Sequence, residues 1–260
     1  MKRIKLLDDR QRLMLDVMAK DRFLPEQKMQ NHLKEWHQQY VHAKPFRHIV
    51  LDNFFDTDIA GSLNDEFPSI GEQKKWQEFR RGTEWLKNAT GDDSHIPFFT
   101  RHFLYALNSR TFLAWLEKLT GISGLIADSE FTGGGFHSTL PGGKLDLHAD
   151  FNIHLRNGLD RRLNLIMFLN KNWPESYGGH LELWDKDLAL PPQKILPVFN
   201  RVVIFGTTDF TFHGHPLELT CPADRYRKSL ALYYYSNGRP DHEKSGEQHL
   251  TLFKERPAID

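Results

Sequence analysis

From Leu145 to Leu155 the chain alternates strictly. Leu145, Leu147, Ala149, Phe151, Ile153 and Leu155 are apolar; Asp146, His148, Asp150, Asn152 and His154 between them are polar. Side chains alternate faces along a strand, so this stretch predicts a strand with one apolar and one polar face. Short apolar runs of the same kind follow one another after Gly121, separated by Gly, Pro, Asn and Asp: FHSTL, KLDLHADFNIHL, LNLIMFLN, HLELW, KILPVF, RVVIFG and RKSLALYYYS. LNLIMFLN is apolar on both faces, which predicts a central strand covered on both sides. The glycines at 133–135 and the PGG at 141–143 read as bends flanking a strand, since no helix start follows them.

Before Gly121 the spacing is different. Residues 1 to about 43 carry apolar positions at helical intervals, predicting one or two helices. FRHIVLDNFF (46–55) reads as a strand, after which Asp56 or Thr57 caps a helix bearing Ile59, Leu63 and Phe67. Two helices are expected between Ile96 and Leu119, the second starting after Ser109 and stopping at Gly121. The expected fold class is α+β, mainly β: a double-stranded β-helix, or jelly roll, with an N-terminal helical extension. Within one structural domain, residues 1–125 would be helical packing material and residues 126–260 the β-helix core.

Composition narrows this picture. The 260 residues carry 34 Lys+Arg and 34 Asp+Glu, so net charge gives no drive toward nucleic acid or an anionic membrane, and neither is expected as a partner. No apolar run could span a bilayer, and no apolar h-region follows the basic MKRIK start. Cys221 is the only cysteine, which makes an intramolecular disulfide impossible and points to a reducing, cytoplasmic setting; Cys221 itself reads as structural or incidental.

The polar face of Leu145–Leu155 has two readings: a solvated surface, or a metal site in which His148 and Asp150 point into one space. A triad of two histidines and one carboxylate with open positions is the usual cradle for non-haem Fe(II) in oxygenases. His148–Asp150 is the only His-x-Asp in the chain, but with 14 histidines that match alone is weak. A distal histidine is available in TFHGHP, as His213 or His215, far enough downstream for several strands to intervene. RKSLALYYY then sets Arg227, Ser229, Ala231 and Tyr233 on one strand face. A guanidinium grips a carboxylate through two parallel hydrogen bonds, with Ser229 as an added donor; inside a barrel it would otherwise be a costly unpaired charge. Arg225, the rival, belongs to the preceding turn. Asn152 and His154 continue the face of His148 and Asp150, either toward a substrate or beyond the barrel. The Tyr233–Tyr235 run reads as packing.

The order His148–Asp150, Gly178-Gly179, Phe205-Gly206, His213, Arg227-x-Ser229 resembles the iron and 2-oxoglutarate dioxygenases of the prolyl 4-hydroxylase-like superfamily, over roughly residues 130 to 240. The resemblance implies that His148, Asp150 and His213 hold Fe(II), with His213 preferred to His215. It implies that Arg227, aided by Ser229, binds the C5 carboxylate of 2-oxoglutarate, and that O2 is the oxidant of an aliphatic C–H hydroxylation yielding succinate and CO2. An Asp at 150, where related halogenases carry a small residue, favours hydroxylation. The substrate would be a peptide or protein prolyl residue, or alternatively a free small molecule such as an amino acid, sugar or natural-product intermediate. A non-catalytic jelly-roll binding module is the reading of a different class. One departure stands out: where the hypoxia-sensing prolyl hydroxylases supply tyrosine hydroxyls to the co-substrate, this chain has Leu140 and Phe168, leaving Ser229 or Ser138 to make those contacts.

Overall fold

A computed structural model describes residues 8–20, 22–91, 93–246 and 248–258; the basic start of the chain lies outside them. Helices α1 (Asp9–Ala19) and α2 (Glu26–His42) open the fold, followed by β1 (His48–Asp52) and α3 (Thr57–Glu66). The hairpin β2 (Gln77–Arg81) and β3 (Glu84–Ala89) precedes α4 (Phe98–Leu107) and α5 (Arg110–Thr120). Then come β4 (Ile126–Ala127), β5 (Gly135–Ala149), β6 (Asp160–Phe168), β7 (Leu181–Trp184), β8 (Gln193–Ile195), β9 (Arg201–Gly206), β10 (Phe212–His215), β11 (Arg227–Ser236) and β12 (Leu252–Lys254).

The helix boundaries follow local capping chemistry. Asp56 caps α3 by accepting from Asp58 N at 2.9 Å, and Ser109 caps α5 by accepting from Phe112 N. Gly121 ends α5 with φ 75°, a left-handed conformation that glycine adopts without a Cβ penalty. The span expected to be helical also supplies the β2–β3 hairpin. Its sequences, QEFRR and EWLKNA, have little apolar periodicity because β2 is largely exposed.

The main sheet runs β1-β9-β6-β11-β5-β10-β7-β8, with antiparallel pairing along this path. It curls into the expected double-stranded β-helix. The two runs FHSTL and KLDLHADFNIHL fuse into the single strand β5, whose first part pairs with β11 and whose last part pairs with β10. The strand thus passes from one layer to the other through Pro141-Gly142-Gly143. A Cβ on Gly143 would meet Thr139 Cγ2 at 2.7 Å and the carbonyls of Leu140 and Trp85 at 2.8 Å, so the bend admits only glycine there.

β6 is central, between β9 and β11, and covered on both faces as its two-sided apolar pattern demands. Leu163, Leu165 and Met167 join Val202, Ile204, Leu230, Leu232 and Tyr234 in the core shared with the helices. Phe168 faces the other way, with Phe205, Leu181 and Leu183 between the layers. On the helical side Trp36, Phe54 and Trp115 interlock, and Trp115 Nε1 donates to Met29 O at 3.2 Å, tying α5 to α2. Each such buried aromatic contributes roughly 1.5–3 kcal/mol relative to exposure. The helices therefore stiffen the outer face of the sheet whose inner face carries the polar side chains discussed next.

Candidate active site

His148 and His213 are direct cross-strand partners on β5 and β10, with ring centroids 4.4 Å apart. Cross-strand neighbours lie within side-chain reach on one face, so the sheet itself brings the two imidazoles together. Each ring has Nδ1 at a carbonyl two residues earlier: His148 at Asp146 O, 2.9 Å, and His213 at Thr211 O, 3.5 Å. An Nδ1–H donated to a carbonyl leaves Nε2 as the free lone pair. Both Nε2 atoms face Asp150, at 3.7 Å from Oδ1 for His148 and 3.5 Å from Oδ2 for His213. The three donor atoms all lie within 4.8 Å of one another. The 3.7 and 3.5 Å separations from the carboxylate are close to those of neighbouring ligands about 2.0–2.2 Å from one ion, so His148, Asp150 and His213 can hold a metal ion.

The protonation states suit that task. Burial pushes His148 down to about 4, helped by the neighbouring His213 and opposed by Asp150, and burial likewise lowers His213. Both rings are neutral at neutral pH, as ligation requires. Burial alone would raise Asp150, but the charges of Arg161, His213 and His148 and a hydrogen bond from Asn164 hold it below the usual carboxylate range. Arg161 Nη2 stands 3.2 Å from Asp150 Oδ2, and Asn164 Nδ2 donates to the same oxygen at 2.8 Å. Asn164 Oδ1 in turn accepts from Arg161 Nε and Nη2 at 3.1 and 2.8 Å. The guanidinium is sandwiched by Tyr233, 3.5 Å from the ring centroid, and Phe151, 4.6 Å. Neither Arg161 nor Asn164 stood out in the sequence.

Strand β5 ends at Ala149, not at Leu155. Asp150 therefore turns into the site from the end of a strand, and Asn152 and His154, which alternation put on the same face, go elsewhere. Asn152 Oδ1 accepts from His249 N at 3.0 Å. His154 Nε2 meets Thr132 Oγ1 at 3.0 Å, while its Nδ1 faces the amides of Arg156 and Asn157. Both are structural ties outside the cavity lining.

A cavity of about 230 Å³ holds the triad and extends along β11 to Arg227 and Ser229. Arg227 is 6% exposed, and no carboxylate among the described residues comes within ion-pair distance of it. Its Nε donates to Gly179 O at 2.8 Å and its guanidinium lies 4.8 Å over the Phe168 ring. Gly179 has φ 73°, and a Cβ there would come within 3.1 Å of the Arg227 chain and 2.6 Å of Leu219. Burial lowers Arg227 to about 9. A buried cation without a counter-charge in a cavity is a receptor for an anion. Arg225 lies in the turn before β11, bonded to the carbonyls of Lys171 and Asn172.

Of the hydroxyls that could stand in for the missing tyrosines, Ser229 lines the cavity. Ser138 does not: it points to the opposite face and donates to Gln73 Oε1 at 2.6 Å. The adjacent Thr139, across from Arg227 in the ladder, lines the cavity instead, 3.3 Å from His215 Nε2. His215 is thus in the cavity, outside the triad. Tyr233 also departs from expectation: it lines the cavity, its hydroxyl donating to Gly133 O at 2.9 Å, while Tyr234 is the one that packs on the helices. Leu140 lies outside the cavity lining.

With this geometry in place, comparisons with known proteins are informative. Residues 134–253 match the profile of the 2OG-Fe(II) oxygenase superfamily. Over 203 residues the chain is 28% identical to prolyl 3-hydroxylase OGFOD1 of Mus musculus, covering 75% of this chain and 34% of that protein. For the Xenopus laevis protein of the same name the figures are 27% over 177 residues, 65% and 31%. The chain thus spans about a third of the length of these curated relatives. Among solved structures, a Trichoplax adhaerens prolyl hydroxylase in complex with a hypoxia inducible factor oxygen degradation domain peptide fragment superposes with TM-score 0.59 at 18% identity, covering 81% of this chain and 91% of that one. A Pseudomonas putida prolyl-4-hydroxylase gives TM-score 0.56 at 20% identity, with 79% and 99% coverage. These structures share the fold.

Proposed function

We propose that this chain, whose residues 134–253 belong to the 2OG-Fe(II) oxygenase superfamily, hydroxylates a prolyl residue of a peptide or protein substrate. Fe(II) and 2-oxoglutarate are the cofactor and co-substrate of that superfamily, and the residues present fit both. The observation that carries the reading is Arg227: a buried guanidinium without a carboxylate partner among the described residues, in the same cavity as three donors able to hold a metal.

In this reading His148 and His213 present neutral Nε2 lone pairs, and Asp150 supplies the charge that makes the site selective for a cation. Fe(II) held there supplies the oxidative chemistry, in which O2 and 2-oxoglutarate are consumed, succinate and CO2 leave, and a substrate C–H becomes C–OH. Arg161 and Asn164 fix Asp150 so that one carboxylate oxygen is committed to the protein and the other is left for the metal. Arg227 receives the C5 carboxylate of 2-oxoglutarate, with Ser229 beside it on the same strand face and Phe168 beneath the guanidinium. Thr139, rather than Ser138, joins Ser229 as a hydroxyl beside the co-substrate. The apolar walls, Ile166, Leu181, Phe151 and Phe253, exclude water from the reacting groups.

The prolyl specificity is supported by the curated relatives, which are prolyl 3-hydroxylases, and a reducing, cytoplasmic setting by the single, buried Cys221. Two measurements test the reading. Anaerobic Fe(II) and 2-oxoglutarate should produce a visible charge-transfer band. Proline-containing peptides should then raise succinate release and gain one oxygen atom in mass. Absence of the band would remove the oxygenase reading; a band without peptide oxidation, but with oxidation of a free amino acid or sugar, would replace the prolyl substrate.

A further inference from the structure

Barrel strands alone do not complete the cavity wall next to the triad. β3 accompanies β5 from residue 137 to 145, and β12 takes over the same edge at 147–149. That pairing sets Phe253 directly opposite His148, with ring centroids 5.5 Å apart. Thr251 and Phe253, two apart and so on one face, both line the cavity.

Two buried carboxylates pin this segment to the core. Asp209 accepts from Ser245 N at 2.6 Å and Ser245 Oγ at 2.8 Å, and its other oxygen is 3.1 Å from His249 Nε2 and paired with Arg239. Glu182, on β7, receives Arg256 through two parallel bonds of 3.0 and 3.1 Å and Trp184 Nε1 at 2.9 Å. Burying a carboxylate is costly unless its oxygens are fully met, and here the segment itself supplies the donors at both ends. Between the anchors Leu250 and Leu252 face solvent, at 67% and 42% exposure, while Phe253 faces the triad.

We infer that residues 248–256 are a fixed wall of the substrate cavity and that Phe253 is a specificity-determining residue, its ring limiting the bulk of the group presented to His148, Asp150 and His213. The inference rests on the oxygenase reading above. With Phe79, Phe151 and Tyr233 as further aromatic surfaces, the space suits a compact apolar ring such as a pyrrolidine.

The test uses the full chain. Wild type, Phe253→Leu and Phe253→Ala are compared for kcat/KM on peptides carrying proline or a ring-substituted, bulkier proline, read as the bulky-to-plain ratio so that any shared effect on Co(II) or 2-oxoglutarate binding cancels. Truncating the ring should shift the bulky-to-plain ratio by roughly 10–200-fold, the discrimination available to a small change in an apolar pocket. An unchanged ratio overturns the inference. Should wild type oxidise no prolyl peptide, the prolyl reading fails and the wall is judged by fluorine NMR of 4-fluorophenylalanine at position 253, with the same label at Phe98 as a distant, exposed control. Selective broadening by Mn(II) keeps the wall beside the triad. A sharp line at 253 in the Mn(II)-loaded protein removes it.

Discussion

Arg161 and Asp150 form a buried ion pair of 3.2 Å at the very carboxylate that faces both His148 and His213. The pair explains how a carboxylate beyond the end of a strand keeps its orientation. Replacing Arg161 by Met, with Asp150 retained, should cost about 10–100-fold in Co(II) or Fe(II) affinity, the usual effect of losing a group that orients a ligand. The metal-free variant should also lose roughly 3–5 kcal/mol of stability, because Asp150 stays buried without its partner. Metal titration and urea denaturation measure the two effects; unchanged affinity would show that Asp150 orients itself.

Substitution separates the two histidines of TFHGHP. Asp150→Ala and His213→Ala should abolish the ligand-field spectrum of bound Co(II) and all succinate release. His215→Ala should keep the spectrum and weaken 2-oxoglutarate binding, since His215 lies beside Thr139 in the cavity and outside the triad. Loss of Co(II) binding in His215→Ala would reverse the assignment.

Arg227→Ala has opposite effects on stability and binding. A charge-assisted hydrogen bond is worth about 1.5–3 kcal/mol, so losing a bidentate pair should raise the 2-oxoglutarate Kd by roughly 100-fold or more. The unliganded variant should be no less stable than wild type, because the cation it removes has no counter-charge among the described residues. Calorimetric titration and thermal melts with and without 2-oxoglutarate read both.

Acid should destabilise the metal-free protein. The unfolded His148 titrates near 6.5, whereas in the fold burial pushes it down to about 4. Between those values the unfolded chain binds the extra proton, so stability is full above about pH 6.5 and falls as pH drops toward 4. The urea midpoint of metal-free protein should follow this course, with a shallower slope in His148→Gln. A midpoint flat across this window would contradict a buried neutral His148.

Much of the fold was legible because it is written in local periodicity: the two-sided apolar β6, the caps of α3 and α5, and the His-x-Asp on an alternating strand. The same alternation overran the strand. Past Ala149 loop packing buries the polar Asn152 and His154 and leaves Leu155 exposed, so the alternation there has no strand faces behind it. Arg161, Asn164 and Phe253 stayed hidden for another reason. Their contacts join β6 to the end of β5, and a C-terminal segment to His148, and no spacing along the chain encodes those distances. The β2–β3 hairpin was missed because its exposed faces need no apolar pattern.

The solitary Arg227 also bears on how long the protein lasts. A ligand that binds only the folded state adds stability in proportion to its saturation, about 2.7 kcal/mol at a hundredfold excess over Kd. A chain with an unanswered charge in its interior depends on that contribution more than one whose interior is already neutral. Copies formed when 2-oxoglutarate is scarce would open more often and be the first that proteases reach.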